Sequence, residues 1–485
     1  MITRLVLTLI LACLPLAAQA HAFIQPYKLP MPYWMYIYGA VAALVLSFVV
    51  LALAVGKSAP GDAKRVLFGD AGWVNWVRRM RIKLLAQLVT VFIFWICIVA
   101  GFIGKQDPSR NINMTQFWVI FTLGFAYLVV FVGDWYAALN PWQSMARWVS
   151  YLVPRINEGF WRYPQKLGYW PAVILYMAFI WVELLGNTRP FSLSGYLLGY
   201  TVINVLGVIA WGIKPWFRYG EFFAVFMRLV ALCAPVRYDP EAEQKAERWQ
   251  LRWPFAGLLE EEKVPFSLAV FVLFMLSSTA FDGLRETKQW FAWFWLDPYG
   301  WLEALIDEKP LYAYVMLRPW YIAYETMVML LSPFLYLVVF VGFLWLGKLL
   351  VKTPLSLMAL LQRFTLSLVP IAVVYHATHY YTLLFTQGVK IRALISDPFG
   401  WRWDLFGTLY TMRMPIIPDM GNVWNSQVVL ILLGHVASVA VAHVVALRLF
   451  PQQRHAALSQ LPMLLLMMVF TAFGLWILAQ PLQGR

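Results

Sequence analysis

The chain has 485 residues, 61% of them hydrophobic and 17% aromatic, with a mean hydropathy of +0.66. Only 13% are charged, too few to clothe a soluble protein of this length, so composition points to an all-α polytopic membrane bundle. The net charge of +14 belongs to basic residues lying between apolar runs, where orientation signals sit, and no separate basic domain offers itself to nucleic acid.

The N-terminus reads as a signal peptide over residues 1–20. Arg4 supplies the positive start, "LVLTLILACLPLAA" the apolar stretch and "AQA" the small-residue cleavage site. Cleavage after Ala20 makes His21 the first residue of the mature chain. The amine and imidazole of His21 could then chelate copper together; the plainer reading is that His21 merely follows a processing site. Ten apolar runs of membrane-crossing length follow, near 33–55, 84–103, 115–137, 168–188, 194–213, 263–282, 324–346, 365–387, 426–448 and 460–480. Residues 21–485 are read as one integral membrane domain.

The run 220–235, "GEFFAVFMRLVALCAP", is apolar but carries Glu221 and Arg228. It reads as a surface or re-entrant helix, inside an amphipathic, charged cytoplasmic loop over 214–263. "RRMRIK" at 78–83 and the charges of that loop place Lys and Arg mainly on one side. The bias predicts a bacterial inner-membrane protein with both mature termini periplasmic. Two long aromatic loops, 283–322 and 388–424, fall on the periplasmic side. They contain "DPYGW" at 297–301 and "DPFGW" at 397–401, either a weak repeat or ordinary turn chemistry.

Soluble-enzyme signatures are missing: there is no HExxH, no GxSxG and no dinucleotide fingerprint. "GFLWLGK" at 342–348 has Leu349 where a phosphate loop needs Ser or Thr. Cys13, Cys97 and Cys233 have no paired spacing, which argues against a disulfide framework or a thiolate metal site.

Histidine carries the remaining chemistry. Of six, four fall in two consecutive spans: His376 and His379 in "VVYHATHYYTLL", then His435 and His443. His379 lies about 60° around its helix from His376. If the spans are centred alike, His435 returns to the depth of His376, and His443 lies about 12 Å further inward. His376, His379 and His435 are therefore candidate ligands of one divalent transition metal, zinc or copper. Asp282, in "SSTAFDGL", is the best carboxylate to join them as ligand or general base, ahead of Glu183 and Glu325; Asp134 reads as structural. Three alternatives stand beside the metal site. The histidines could pair with Tyr375, Tyr380 and Tyr381 across helices, His376 and His435 could ligate haem b, or the cluster could form an ion path in a transporter or redox subunit.

"HAFIQPYKLPMPYWMYIYGA", "GDWYAALNPW", "STAFDGL" and "YHATHYY" together resemble a bacterial family of polytopic membrane proteins labelled fenitrothion hydrolase, a membrane-bound organophosphorus hydrolase. The resemblance covers most of the chain and assigns no catalytic residues. It implies cleavage of the aryl P–O bond of a lipophilic phosphorothioate ester. It also implies partners: the lipid bilayer, a lipophilic small-molecule substrate arriving through it, and a second membrane subunit. In such a reaction a metal would activate water, with His376, His379 and His435 as ligands and Asp282 beside them.

Overall fold

The computed structural model describes residues 31–54, 65–66, 82–238, 249–260, 263–410 and 418–483. The signal-like leader, His21 and Cys13 lie outside them. Ten helices are long and apolar enough to cross a membrane, and the protein is a multi-pass helical bundle. Each is a run of Leu, Val, Ile, Phe and Ala that satisfies its own backbone hydrogen bonds, as a bilayer demands. Residues such as Leu53, Phe92, Phe131 and Val338 remain exposed along their outward faces, as expected where lipid replaces water.

Helix α1 covers Tyr33–Ala54 and α2 Ile82–Ile103. α3, Ile112–Val132, is π-helical over Thr115–Phe125. α4, Pro141–Leu152, is a shorter amphipathic helix capped by Asn140, whose side chain accepts from the Gln143 N–H at 3.0 Å. α5 is Trp170–Leu184, α6 Pro190–Trp211 and α7 Phe222–Ala231. Next come α8, Phe266–Arg285, and α9, Tyr314–Val351. α10, Val369–Thr386, lies within the apolar unit Leu357–Ser396. α11 is Met420–Leu449 and α12 Gln453–Gln483.

α8 is the axis of the bundle. Every residue from Ser267 to Gly283 is buried, and α5, α9, α10 and α12 all pack against it. Its hydroxyls do not oppose this burial. Thr279 Oγ1 donates to the Met275 carbonyl at 3.4 Å, and Ser277 pairs with Ser332 of α9 at 2.8 Å. α10 packs against α8, α11 and the π-helical part of α3. Close approach of α10 and α11 depends on Gly434, where a methyl group would collide with Val374.

Three expectations change. Of the two readings of 220–235, surface or re-entrant, burial removes the surface one: α7 is a ten-residue helix, too short to span, and most of its side chains are buried in the core. At about 15 Å it is half as long as the hydrocarbon core of a bilayer is thick. It can be buried because both ends are satisfied. The Glu221 carboxylate accepts from the Phe223 and Ala224 N–H groups at 3.0 and 2.7 Å. At the other end the buried Arg252 guanidinium donates to the carbonyls of Ala231 and Ala234. Arg252 follows a small antiparallel sheet, β1 (Arg65–Val66), β2 (Val236–Tyr238) and β3 (Trp249–Leu251), in the order β1-β3-β2.

The loop expected over 283–322 is partly helical. Lys288–Phe291 and Trp301–Ile306 form short helices. α9 begins at Tyr314 and runs 38 residues, about 57 Å, passing through Pro319 and Pro333. The 388–424 loop likewise contains the helix Ile391–Ser396 and gives way to α11 at Met420.

The two Asp-Pro-x-Gly-Trp pieces share one hydrogen-bond pattern, although Asp297 has positive φ (43°) and Asp397 does not (−136°). The Asp297 carboxylate accepts from the N–H of Trp301 at 3.0 Å, and the Asp397 carboxylate from the N–H of Trp401 at 2.9 Å. Gly300 and Gly400 both adopt positive φ, 67° and 72°, which glycine tolerates without strain.

Candidate functional site

Asp282 occupies the last turn of α8. A carboxylate there faces the negative end of the helix dipole and is buried, so it needs donors. α10 supplies two. His379 Nε2 lies 2.8 Å from Asp282 Oδ2, and Tyr380 Oη donates to the same oxygen at 2.7 Å. Since a carboxylate only accepts, Nε2 carries a proton, and in the neutral ring Nδ1 holds the lone pair. The pair is not sealed: 19% of the His379 side chain and 11% of that of Asp282 remain exposed. One turn further on, Arg285 anchors the end of α8 by donating to the Leu184 carbonyl of α5 at 2.7 Å. There a cavity of about 650 Å³ opens, lined by Arg285, Glu286, Lys288, Phe291, Tyr321 and Glu325 among others. That volume suits a small-molecule site.

Tyr380 joins His379 to His376. Its ring centre lies 4.6 Å from that of His379 and 5.0 Å from that of His376. The spacing of four residues between 376 and 380 places them on one helical face. His376 is otherwise held among aromatic rings, with Tyr127 at 6.0 Å and Phe226 at 6.1 Å. It lines a cavity of about 10 Å³ with Tyr127, Tyr176 and Met275.

His435 is elsewhere. It lines a second cavity, of about 20 Å³, with Tyr336, Tyr375, Phe470 and Phe473. The two cavities share no lining residue. The expected set therefore divides: Asp282 and His379 touch, His376 is one ring away, and His435 is not gathered with them. Among the described residues no three His, Cys, Asp or Glu side chains form a group that could hold a metal ion. The donors that do meet, one carboxylate and one imidazole, fall short of the three protein ligands of a catalytic zinc centre. Haem between His376 and His435 does not fit either, since each ring faces only a water-sized space.

The remaining candidates sort by place. Glu325 is buried and borders the large cavity. Glu183 lies near the end of α5 and is half-buried. The Asp134 carboxylate accepts from the Ala137 N–H at 3.0 Å and shapes the turn after α3. Tyr381 pairs with Ser426 of α11 at 2.7 Å. His455 is half-buried near the start of α12. Cys97 and Cys233 are free and buried. Arg285 and the cavity beside it escaped sequence reasoning; a cation three residues after an intramembrane aspartate was the available signal.

No protein-family model, curated protein or solved structure matches this chain.

Proposed function

We propose that the protein is a membrane-embedded hydrolase of lipophilic aryl phosphorothioate esters such as fenitrothion, working by general-base catalysis from His379 and Asp282. One observation carries the chemistry: the 2.8 Å Asp282–His379 contact at the mouth of the bundle. An aspartate holding one imidazole nitrogen leaves the other as a base and stabilises the imidazolium that forms. The substrate class rests on the resemblance of "STAFDGL" and "YHATHYY", the two segments that supply this pair.

In this reading the ester occupies the cavity beyond Arg285, its aryl group against Phe291 and Tyr321. His379 Nδ1 takes a proton from water as the water oxygen bonds to phosphorus. The P–O bond to the aryl group breaks and the aryloxide leaves. The imidazolium then returns its proton to the aryloxide or to solvent. Asp282 holds the ring through Nε2, and the Tyr380 hydroxyl holds Asp282. We place the site on the periplasmic side of the inner membrane, from the basic-residue bias and the signal-like start. Reporter fusions at residue 250 then read as cytoplasmic, and those at 305 and 410 as periplasmic.

The test is direct. Purified full-length protein in lipid nanodiscs is mixed with fenitrothion and the nitrophenolate chromophore is followed. Turnover that Asp282→Asn removes supports the proposal. Wild-type protein that is folded and releases no chromophore above the uncatalysed rate overturns it.

A further inference from the structure

Hydrogen bonds fix the tautomers of the two histidines on α11, and they fix them oppositely. Gln460 Nε2 donates to the Ala456 carbonyl at 2.8 Å, so that atom is the amide nitrogen. It also lies 3.0 Å from His443 Nδ1, which must accept. The His443 proton is therefore on Nε2, and its ring packs edge to face against Phe48 at 6.3 Å. In His435 it is Nδ1 that meets a carbonyl, that of Ile431, at 2.8 Å. A carbonyl only accepts, so Nδ1 carries the proton and Nε2 is a bare lone pair.

That lone pair is buried and has no protein partner; His435 as a whole is 3% exposed. The Tyr375 hydroxyl is likewise buried without a protein partner. Both residues line the same cavity of about 20 Å³, with Tyr336 as a further phenol and Leu276, Ala280 and Phe470 among the apolar walls. An acceptor and a donor face one small space in a bundle where unpaired polar groups are costly. A cavity of about 10–15 Å³ or more holds a water molecule when two to four polar groups meet it.

We propose that this cavity is a binding site for one internal water molecule, which accepts from Tyr375 Oη and donates to His435 Nε2. The site joins α10 to α11 through hydrogen bonds that neither side chain makes alone. Its chemistry selects water over the alternatives. A metal ion would find a single nitrogen donor and no carboxylate among the lining residues, and the volume excludes an organic ligand. The water gives His435 a role distinct from that of His379, whose partner is a carboxylate.

Hydroxyl-radical footprinting tests the site, because a bound water radiolysed in place oxidises the side chains it touches. The full chain in nanodiscs, equilibrated in H₂¹⁸O, is exposed to a short X-ray pulse and digested for mass spectrometry. Tyr375 and His435 should take up ¹⁸O despite their burial, while Phe340 and Met329, also buried, stay at background. Tyr375 and His435 at background would overturn the proposal, and this measurement needs no variant. Tyr375→Phe removes the donor and should abolish labelling at His435 while the protein remains monodisperse. Unchanged labelling of His435 in that variant would overturn the bridge.

Discussion

The two sides of α10 treat an imidazole in opposite ways. On one side His379 meets a carboxylate and a phenol at the end of α8 and stays partly exposed, and a cavity large enough for a small molecule begins at Arg285, three residues beyond Asp282. On the other, His435 and Tyr375 line a largely apolar pocket of water size. Both histidines have one nitrogen tied and one open. The difference lies in what ties them. A carboxylate strengthens the open nitrogen as a base and can stabilise a positive ring; a backbone carbonyl orients the ring and offers far less to a charge. The proposed chemistry belongs on the first side and cohesion on the second.

Breaking each side separately gives the largest contrast. Asp282→Asn keeps the shape but removes the charge that supports the imidazolium, and hydrolysis should fall roughly 10²–10⁴-fold. His435→Leu should leave the rate within about tenfold of wild type, because general-base catalysis is not among its roles. Initial rates of nitrophenolate release measure both. Equal losses would mean that the two sides form one site, and the division drawn above would fail.

The second contrast is in stability. Gly434 lets α11 approach Val374 of α10. Gly434→Ala forces the helices apart or bends a side chain off its rotamer, at a cost of about 1–3 kcal/mol. The thermal midpoint in detergent should drop, while residual protein keeps the Asp282-dependent activity. Loss of activity with an unchanged midpoint would contradict the assignment of this contact to cohesion.

Much of this was legible in the sequence, and the limits are physical. All ten spans were readable because a bilayer requires about 20 apolar residues in a row. Asp282 and His379 were readable because ionisable groups inside such runs are rare. His435 was misplaced relative to His376 for a definite reason. Counting residues gives depth along a helix, but the rotation of each helix is set by packing against its neighbours. Tyr375 and His376 are about 100° apart on α10, and the structure turns His435 toward Tyr375. α7 was legible in part: that it is too short to span was readable, but its burial was not. Glu221 and Arg228 looked like surface markers, yet Glu221 is fully buried as the helix cap.

Glu221 extends the comparison to a second buried carboxylate, used for structure instead of chemistry. It accepts from Asn140 at 3.1 Å, from Tyr200 and from the first N–H groups of α7. Burial nevertheless outweighs these bonds and pushes its pKa from an ordinary 4.5 to about 7. The folded protein therefore holds this proton where the unfolded chain has released it. Stability from this group is full below about pH 4.5, declines as pH rises toward about 7 and levels off above. The thermal midpoint should fall over that window, and Glu221→Gln should remove that part of the slope. A slope unchanged in the variant would assign the pH dependence to another group.

The smallest effect concerns Tyr380, the residue that touches both histidines of α10. Its hydroxyl donates to the oxygen of Asp282 that His379 also holds. Tyr380→Phe keeps the ring between His376 and His379 and removes only that donor. A single hydrogen bond of this kind is worth about 0.5–1.5 kcal/mol, so the rate should fall roughly two- to tenfold. Asp282 keeps its contact with His379, so the loss should stay well below that of Asp282→Asn. Tyr375→Phe makes the matching change on the other face, and there the rate should not move. Rates for the two phenylalanine variants, measured side by side, thus ask whether a hydroxyl matters because it lies on α10 or because it holds Asp282. If Tyr375→Phe costs as much as Tyr380→Phe, the effect belongs to the helix and not to the carboxylate.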